Sequence, residues 1–472
     1  MLILVLLACT GAPPPDPAPP APARPPDVLV VVLDTVRADA LSAYGNPRPT
    51  SPQLDAIADA GLLFEDVTAP GSWTWPSHAS LFTGAFPWEH GAHFGEASDG
   101  AVALEPDPFY ATALREDLPT LAERFSAAGY RTASLSANRL IGPDFGLTRG
   151  FQDARTFSED ELVVQAAQAL LTDSDDRPLL LFVNLFGAHA PWFLNPVPWV
   201  EARRAELHPE TGQQWLRPYL LAGGVGLSIY ERATPESPPL AMAYARGELE
   251  IPPEGLTLLR DLYEGEVSRV DYRLHQIVTT WNESGRGQGI VAVTSDHGEY
   301  LGERQMMAHS RTVYPEVVRV PLVIAAPGRL EANKRVSAPV QMHDLHDAVL
   351  VLAGLAEGSE LLDAAAGEAP ADPIRARAWK DVYWAEGIGG RFAQGYRLMR
   401  VGDEAVIVGD DGGVEYYSES SMLVERSGEA AGRVEVLRSA AEGLFEEVGG
   451  TGLIGADVET LERLEALGYT GG

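Results

Sequence analysis

Three short clusters hold the side chains best suited to chemistry. Leu33-Asp34-Thr35-Val36-Arg37-Ala38-Asp39 places carboxylates directly after an apolar run. Ser72-Trp73-Thr74-Trp75-Pro76-Ser77-His78-Ala79-Ser80 crowds hydroxyls around an imidazole. Thr294-Ser295-Asp296-His297-Gly298-Glu299 sets carboxylates on either side of His297. Carboxylates and imidazoles are divalent-metal ligands, and a hydroxyl becomes a nucleophile once a neighbour lowers its pKa. Each cluster also has a plainer reading. An Asp after a strand caps the next helix, and a stretch rich in Ser, Thr and Pro makes a turn. Asp-His-Gly is as good a turn as a ligand pair.

The elements that must position these residues are legible from hydrophobic patterning. Asp27 to Asp34 is a continuous β-branched run, the mark of a strand buried on both faces. Similar runs recur at Leu179–Val183, Gly289–Thr294 and Val320–Ala325. Between them, Val267, Val270, Leu274, Ile277 and Trp281 repeat at helical spacing. Alternating strands and helices predict an α/β doubly wound, mostly parallel sheet, whose ligand lies beyond the carboxyl ends of the strands. Asp34 and Asp296 fall there. Residues Pro196–Pro253 lack a clear period and read as an insertion over the surface, a lid or a substrate-selecting segment. After Ala365, short segments at Val382–Trp384, Tyr396–Val401 and Ala405–Val408 predict a small antiparallel sheet, followed by a helical tail from Arg433 to Tyr469. The expected organisation is therefore a catalytic domain over residues 27–365, carrying the insertion 196–253, and a C-terminal α+β subdomain over 366–472.

At 472 residues with a net charge of −32, the chain has no basic stripe to neutralise phosphates, which excludes a nucleic-acid partner. An anionic substrate would need a local positive charge, which a bound cation provides. Met1 to Ala8 is almost wholly apolar, and Cys9 is the only cysteine. The Pro/Ala-rich stretch that follows is a tether that cannot pack. The arrangement resembles a bacterial lipoprotein signal over residues 1–9 with a linker over 10–26. That resemblance implies export, lipidation of Cys9, and anchoring in the periplasm or on the outer membrane by lipid alone. No later segment has the ~20 continuous apolar residues of a membrane span.

Taken in order, the three clusters resemble the sulfatase family of the alkaline-phosphatase superfamily. That family has an aspartate after its first strand, a nucleophile in Cys/Ser-x-Pro-Ser-Arg before a Leu-Thr-Gly-like segment, and a later Ser-Asp-His-Gly-Glu. Further agreement comes from Phe182-Val183-Asn184 through His189-Ala190-Pro191-Trp192, His309-Ser310-Arg311 through Arg319-Val320-Pro321-Leu322, Asp344 to Gly354, and Leu467-Gly468-Tyr469. The resemblance runs from about Asp27 to the C-terminus, with only Pro196–Pro253 poorly matched. It implies that Asp34, Asp296 and His297 hold a divalent cation, with Thr74 Oγ as a further ligand and the nucleophile. It also implies that His189 and His309 contact the substrate anion or protonate the leaving oxygen.

Three departures shape the expected reaction. Sulfatases oxidise a cysteine or serine to formylglycine, but the methyl group of Thr74 prevents an aldehyde, so no formylglycine is expected. His78 stands where the family carries the arginine that supports formylglycine. Thr35 replaces a second aspartate, and with His297 as ligand the preference moves from calcium towards zinc or manganese, calcium remaining compatible. The leading expectation is a hydrolase of phosphate, phosphodiester or phosphonate esters of a small molecule, glycan or lipid. A sulfatase proper, a phospho-headgroup transferase, and a non-catalytic module for sulfated or phosphorylated polymer are the alternatives.

Overall fold

The computed structural model of the chain describes residues 24–94, 102–104, 109–143, 146–208, 210, 212–230, 238–368, 373–380 and 388–417. The first apolar run is strand β1 (Val28–Leu33), buried along its whole length. Its side chains alternate between two cores. Leu29, Val31 and Leu33 join one apolar cluster, while Val28, Val30 and Val32 join the other. A strand covered on both faces needs an apolar residue at every position, which is why no polar alternation interrupts it.

Seven further strands join the sheet: β2 (Leu62–Thr68), β3 (Arg131–Ser136), β4 (Asp153–Thr156), β5 (Leu179–Leu185), β6 (Ile290–Thr294), β7 (Arg319–Ala325) and β8 (Lys334–Val336). Their order is β8-β2-β7-β6-β1-β5-β3-β4, and the short strand Val340–Gln341 also pairs with β2. β1 runs parallel to β5 and β6, with Val32 opposite both Asn184 and Thr294. β7 is antiparallel to both its neighbours. The sheet is thus parallel through its centre and mixed on one side. The chain leaves β6 and returns into β7 without the crossover helix that a parallel return requires.

Helices cover both faces: α1 (Pro52–Asp59), α2 (Thr74–Thr83), α3 (Asp160–Leu171), α4 (Pro253–Trp281) and α5 (Leu345–Leu352). The apolar stripe of α4, from Val267 to Trp281, packs into the core that holds Leu29 and Val31. Leu81 and Phe82 of α2 and Leu345 and Val349 of α5 pack into the opposite core. The Asp271 carboxylate of α4 accepts the Gln53 and Leu54 backbone N–H groups at 2.9 and 3.0 Å, capping the start of α1.

The aperiodic insertion is built from short helical turns and a strand, Gly226–Leu227, that pairs antiparallel with Trp192–Phe193. It is anchored in the main core through Leu207, Leu216, Leu227, Ile229 and Leu240. These anchors are spread over short turns rather than one long element, so no period runs through them. Beyond the main sheet, β9 (Ile374–Ala378), β10 (Tyr396–Val401), β11 (Glu404–Gly409) and β12 (Val414–Tyr417) form an antiparallel sheet. Cys9, most of the linker, Val382–Trp384 and the tail from Arg433 lie outside the described residues. Among the described residues, no helix is long and apolar enough to cross a membrane.

Candidate metal centre

Asp34 follows β1 directly, and Asp296 follows β6 after one residue. Because β1 and β6 are parallel neighbours, their carboxyl ends meet. Asp34, Asp296 and His297 are buried there, with one potential ligand atom from each lying within 4.8 Å of the others. Asp296 Oδ1 accepts the backbone N–H groups of Thr35 at 3.2 Å and His297 at 3.0 Å. Asp34 Oδ2 accepts the side-chain amides of Asn138 at 2.9 Å and Asn184 at 3.3 Å. His297 Nδ1 lies 2.9 Å from the Gly298 carbonyl. A carbonyl only accepts, so Nδ1 carries the proton and Nε2 presents its lone pair.

The second atom of each group, Asp34 Oδ1, Asp296 Oδ2 and His297 Nε2, is buried with no hydrogen-bond partner. Each residue is therefore oriented through one atom and turns the other towards a shared centre, as metal ligands are held by their outer contacts. The turn that follows β1 is strained: Thr35 has φ 59°, a left-handed conformation unusual for a β-branched residue. Such a conformation costs of order 1–3 kcal/mol and persists where surrounding bonds fix it. Here the Thr35 N–H binds Asp296, and its carbonyl accepts the Tyr263 hydroxyl at 2.8 Å.

The electrostatics also call for a cation. Burial, and then the neighbouring Asp296, push the Asp34 carboxyl up to about 8. Burial pushes Asp296 up to about 7. Neutral amides and backbone N–H groups do not offset two buried negative charges, whereas a divalent cation does. Two carboxylates and an imidazole nitrogen, each with an uncommitted atom, fit such an ion.

Thr74 is the first residue of α2, and Pro76 is tolerated in that first turn, where its missing N–H breaks no helical bond. The Thr74 Oγ1 lies 3.2 Å from Asn138 Nδ2. One turn on, His78 Nδ1 lies 2.9 Å from the Thr74 carbonyl and 3.5 Å from Asp296 Oδ2. Burial lowers the His78 pKa to about 3, so the ring is neutral. His78 thus braces the backbone of Thr74 from behind.

His189 sits in the loop after β5. Asp160 of α3 fixes that loop by accepting the Phe186 N–H at 2.8 Å and the Gly187 N–H at 2.9 Å. The His189 ring stacks on Phe186 at 4.4 Å, and its Nδ1 lies 2.7 Å from the Ala190 carbonyl. His309 meets His189 edge-on at 5.3 Å and lies 4.3 Å from the His297 ring. Its Nδ1 lies 3.2 Å from Glu299 Oε1 and 3.3 Å from the Tyr230 hydroxyl. Burial pushes the His309 imidazole well below and the Glu299 carboxyl well above their ordinary pKa values.

The fold therefore brings Asp34, Thr74, His78, His189, Asp296, His297 and His309 to one carboxyl edge of the sheet. Cys9 alone among the expected residues lies outside the described chain. Sequence reasoning missed Asn138, Asn184, Glu299 and Tyr230. Asn184 and Glu299 stood inside recognised motifs without a role. Asn138 follows β3, whose Thr132, Ser134 and Ser136 conceal a buried strand. An amide just beyond a strand's carboxyl end was the available signal.

The fold is that of the alkaline-phosphatase and sulfatase superfamily of phosphoric and sulfuric ester hydrolases. The sulfatase family profile matches residues 26–355, and the chain belongs to that family. It is 23% identical over 377 residues to a sulfatase of Formosa agariphila, covering 70% of this chain and 69% of that protein. Similarity to N-acetylglucosamine-6-O-sulfatase of Bacteroides thetaiotaomicron is 23% over 420 residues, covering 74% and 72%. Bovine (Bos taurus) arylsulfatase A is 37% identical over 125 residues, 26% of this chain and 23% of that protein, so the match spans about a quarter of its length. Among solved structures, phosphonate monoester hydrolase of Agrobacterium radiobacter superposes with a TM-score of 0.63 at 18% identity, covering 89% of this chain and 94% of that one.

Proposed function

We propose that the chain is a metal-dependent hydrolase in which Thr74 attacks without prior modification, and that phosphate, phosphodiester or phosphonate esters are its substrates. The observation that carries this reading is the placement of the Thr74 hydroxyl. It lies at the N-terminus of α2, against the Asn138 amide that also holds Asp34. Asp34, Asp296, His297 and Thr74 Oγ would hold the cation, and the imidazole favours zinc or manganese over calcium. When bound, the cation would supply positive charge for the substrate oxygens and lower the hydroxyl pKa. Asn138 and His78 hold Thr74 in position, and the N–H groups at the start of α2 face the same end. His189 and His309, edge-on to each other at 5.3 Å, would contact the substrate anion. For phosphoryl transfer, positioning and charge neutralisation are most of what a protein must supply.

A sulfuric ester is the second reading, favoured by the names of the Formosa and Bacteroides relatives. One panel separates the two. The purified protein is assayed on aryl sulfate, phosphate monoester, phosphodiester and phosphonate with added metals, and again as Thr74→Ala. Turnover of phosphorus esters that collapses in the variant is expected. Turnover of sulfate alone would sink the phosphorus reading, and unchanged activity in Thr74→Ala would remove the nucleophile. Metal analysis of the same sample should find one divalent ion per chain; a centre that stays empty after added metal contradicts the ligand set. We further propose export and lipid anchoring through Cys9. Fractionation should find the wild type with membranes and Cys9→Ser in the soluble fraction; identical partition of the two rejects the anchor.

A further inference from the structure

We infer that Tyr230, delivered by the insertion, is a positioning residue that selects the tautomer of His309 and thereby aims an N–H at the substrate anion. The inference deepens the hydrolase reading and rests on His309 being a substrate contact.

The position of Tyr230 is built, starting from backbone. Gly226–Leu227 pairs with Trp192–Phe193, a few residues beyond His189. Gly226 permits this approach, because a Cβ there would lie 2.5 Å from the Trp192 carbonyl oxygen. On the far side, the Ile229 carbonyl accepts the Ala241 N–H at 3.1 Å, and the Ile229 side chain is buried in the main core. Tyr230 is thus held by a strand pairing before it and a core anchor beside it. It emerges half-buried where the insertion meets the metal centre.

Its two ends meet the two imidazoles differently. The Tyr230 ring stacks on His189 at 5.4 Å and 24°, on an imidazole that also stacks on Phe186. The Tyr230 ring stands edge-on to His309, and its hydroxyl reaches His309 Nδ1 at 3.3 Å. A phenol is a good donor to an imidazole nitrogen. If the Tyr230 hydroxyl donates to Nδ1, that nitrogen carries no proton and Nε2 must carry it. The ring then offers an N–H donor on its other side, while His297 keeps its Nε2 lone pair for the cation. No proton is transferred in this arrangement. That N–H contributes a hydrogen bond to a charged oxygen, and such a bond strengthens as charge develops in the transition state. Glu299 shares Nδ1 at 3.2 Å and is the competing determinant.

The test compares Tyr230→Phe, which keeps the ring and removes the hydroxyl, with Glu299→Gln in the full protein. Nitrogen NMR of histidine-labelled protein reads which His309 nitrogen is protonated, whether or not any ester is turned over. The expected result is an Nε2-protonated His309 in the wild type and a loss of that preference in Tyr230→Phe, with the melting temperature unchanged. On a substrate that the wild type hydrolyses, kcat in Tyr230→Phe should fall about tenfold with little change in KM. An Nδ1-protonated His309 in the wild type overturns the inference. So does a tautomer that shifts in Glu299→Gln but not in Tyr230→Phe. A wild type inactive on every ester counts against the hydrolase reading alone, because the NMR result still decides the role of Tyr230.

Discussion

Asn138 and Thr74 meet at 3.2 Å, amide nitrogen to hydroxyl oxygen, and the same amide lies 2.9 Å from Asp34. One side chain therefore spaces the candidate nucleophile from a candidate metal ligand. Outer contacts of this kind typically contribute 10–100-fold to metal affinity or activity. Asn138→Ala should lower kcat and weaken metal binding by about that factor, read from steady-state kinetics and a metal titration. Wild-type values for both would show that Asn138 only fills space.

A buried carboxylate pins the loop that carries His189. Asp160 accepts two buried backbone N–H groups, from Phe186 and Gly187, and Gly187 has no room for a side chain because its Cβ would lie 2.7 Å from Asp160 Oδ2. Asp160→Ala leaves both donors unpaired, at a cost of about 1–3 kcal/mol each. Urea denaturation should show this loss, and kcat should drop with it. A midpoint equal to that of the wild type would mean that the loop is held by other contacts.

Acid and base should act on stability through Asp271. Burial raises its carboxyl to about 7, against the N–H groups of Gln53 and Leu54, which favour the charged form. A carboxyl raised in the folded state stabilises the fold fully below its unfolded pKa of ~3.9, and that contribution is lost as the pH rises through about 7. From about pH 6 to about pH 8 the wild type should therefore lose on the order of 1 kcal/mol relative to Asp271→Asn, which has no proton to release. Parallel stability curves for the two proteins would contradict this assignment.

Much of this architecture was readable in the chain, and the exceptions have physical causes. β1, β5, β6 and β7 are covered on both faces, so continuous apolar runs betray them. β3 is equally buried, yet its Thr132, Ser134 and Ser136 break the run. The antiparallel setting of β7 was not legible, because the run Val320–Ala325 reads the same in either direction. At the site, Asp34 and the Asp296-His297 pair were visible because chemistry-bearing types stood directly beyond strand ends. Asn138 and Tyr230 were not. An asparagine after a serine-rich strand and a tyrosine in an aperiodic insertion are ordinary surface residues until the sheet order and the Trp192–Leu227 pairing bring them in.

The central claim is that Thr74 itself forms the bond to the transferring group. Its most direct measurement is peptide mass analysis of the metal-loaded protein, quenched in acid during turnover of a phosphate or phosphonate ester. An unmodified Thr74 in the resting protein and a phosphoryl or phosphonyl adduct on Thr74 in the quenched sample are predicted. A resting protein already modified at position 74, or a sample turning over substrate with its adduct on another residue, would contradict it.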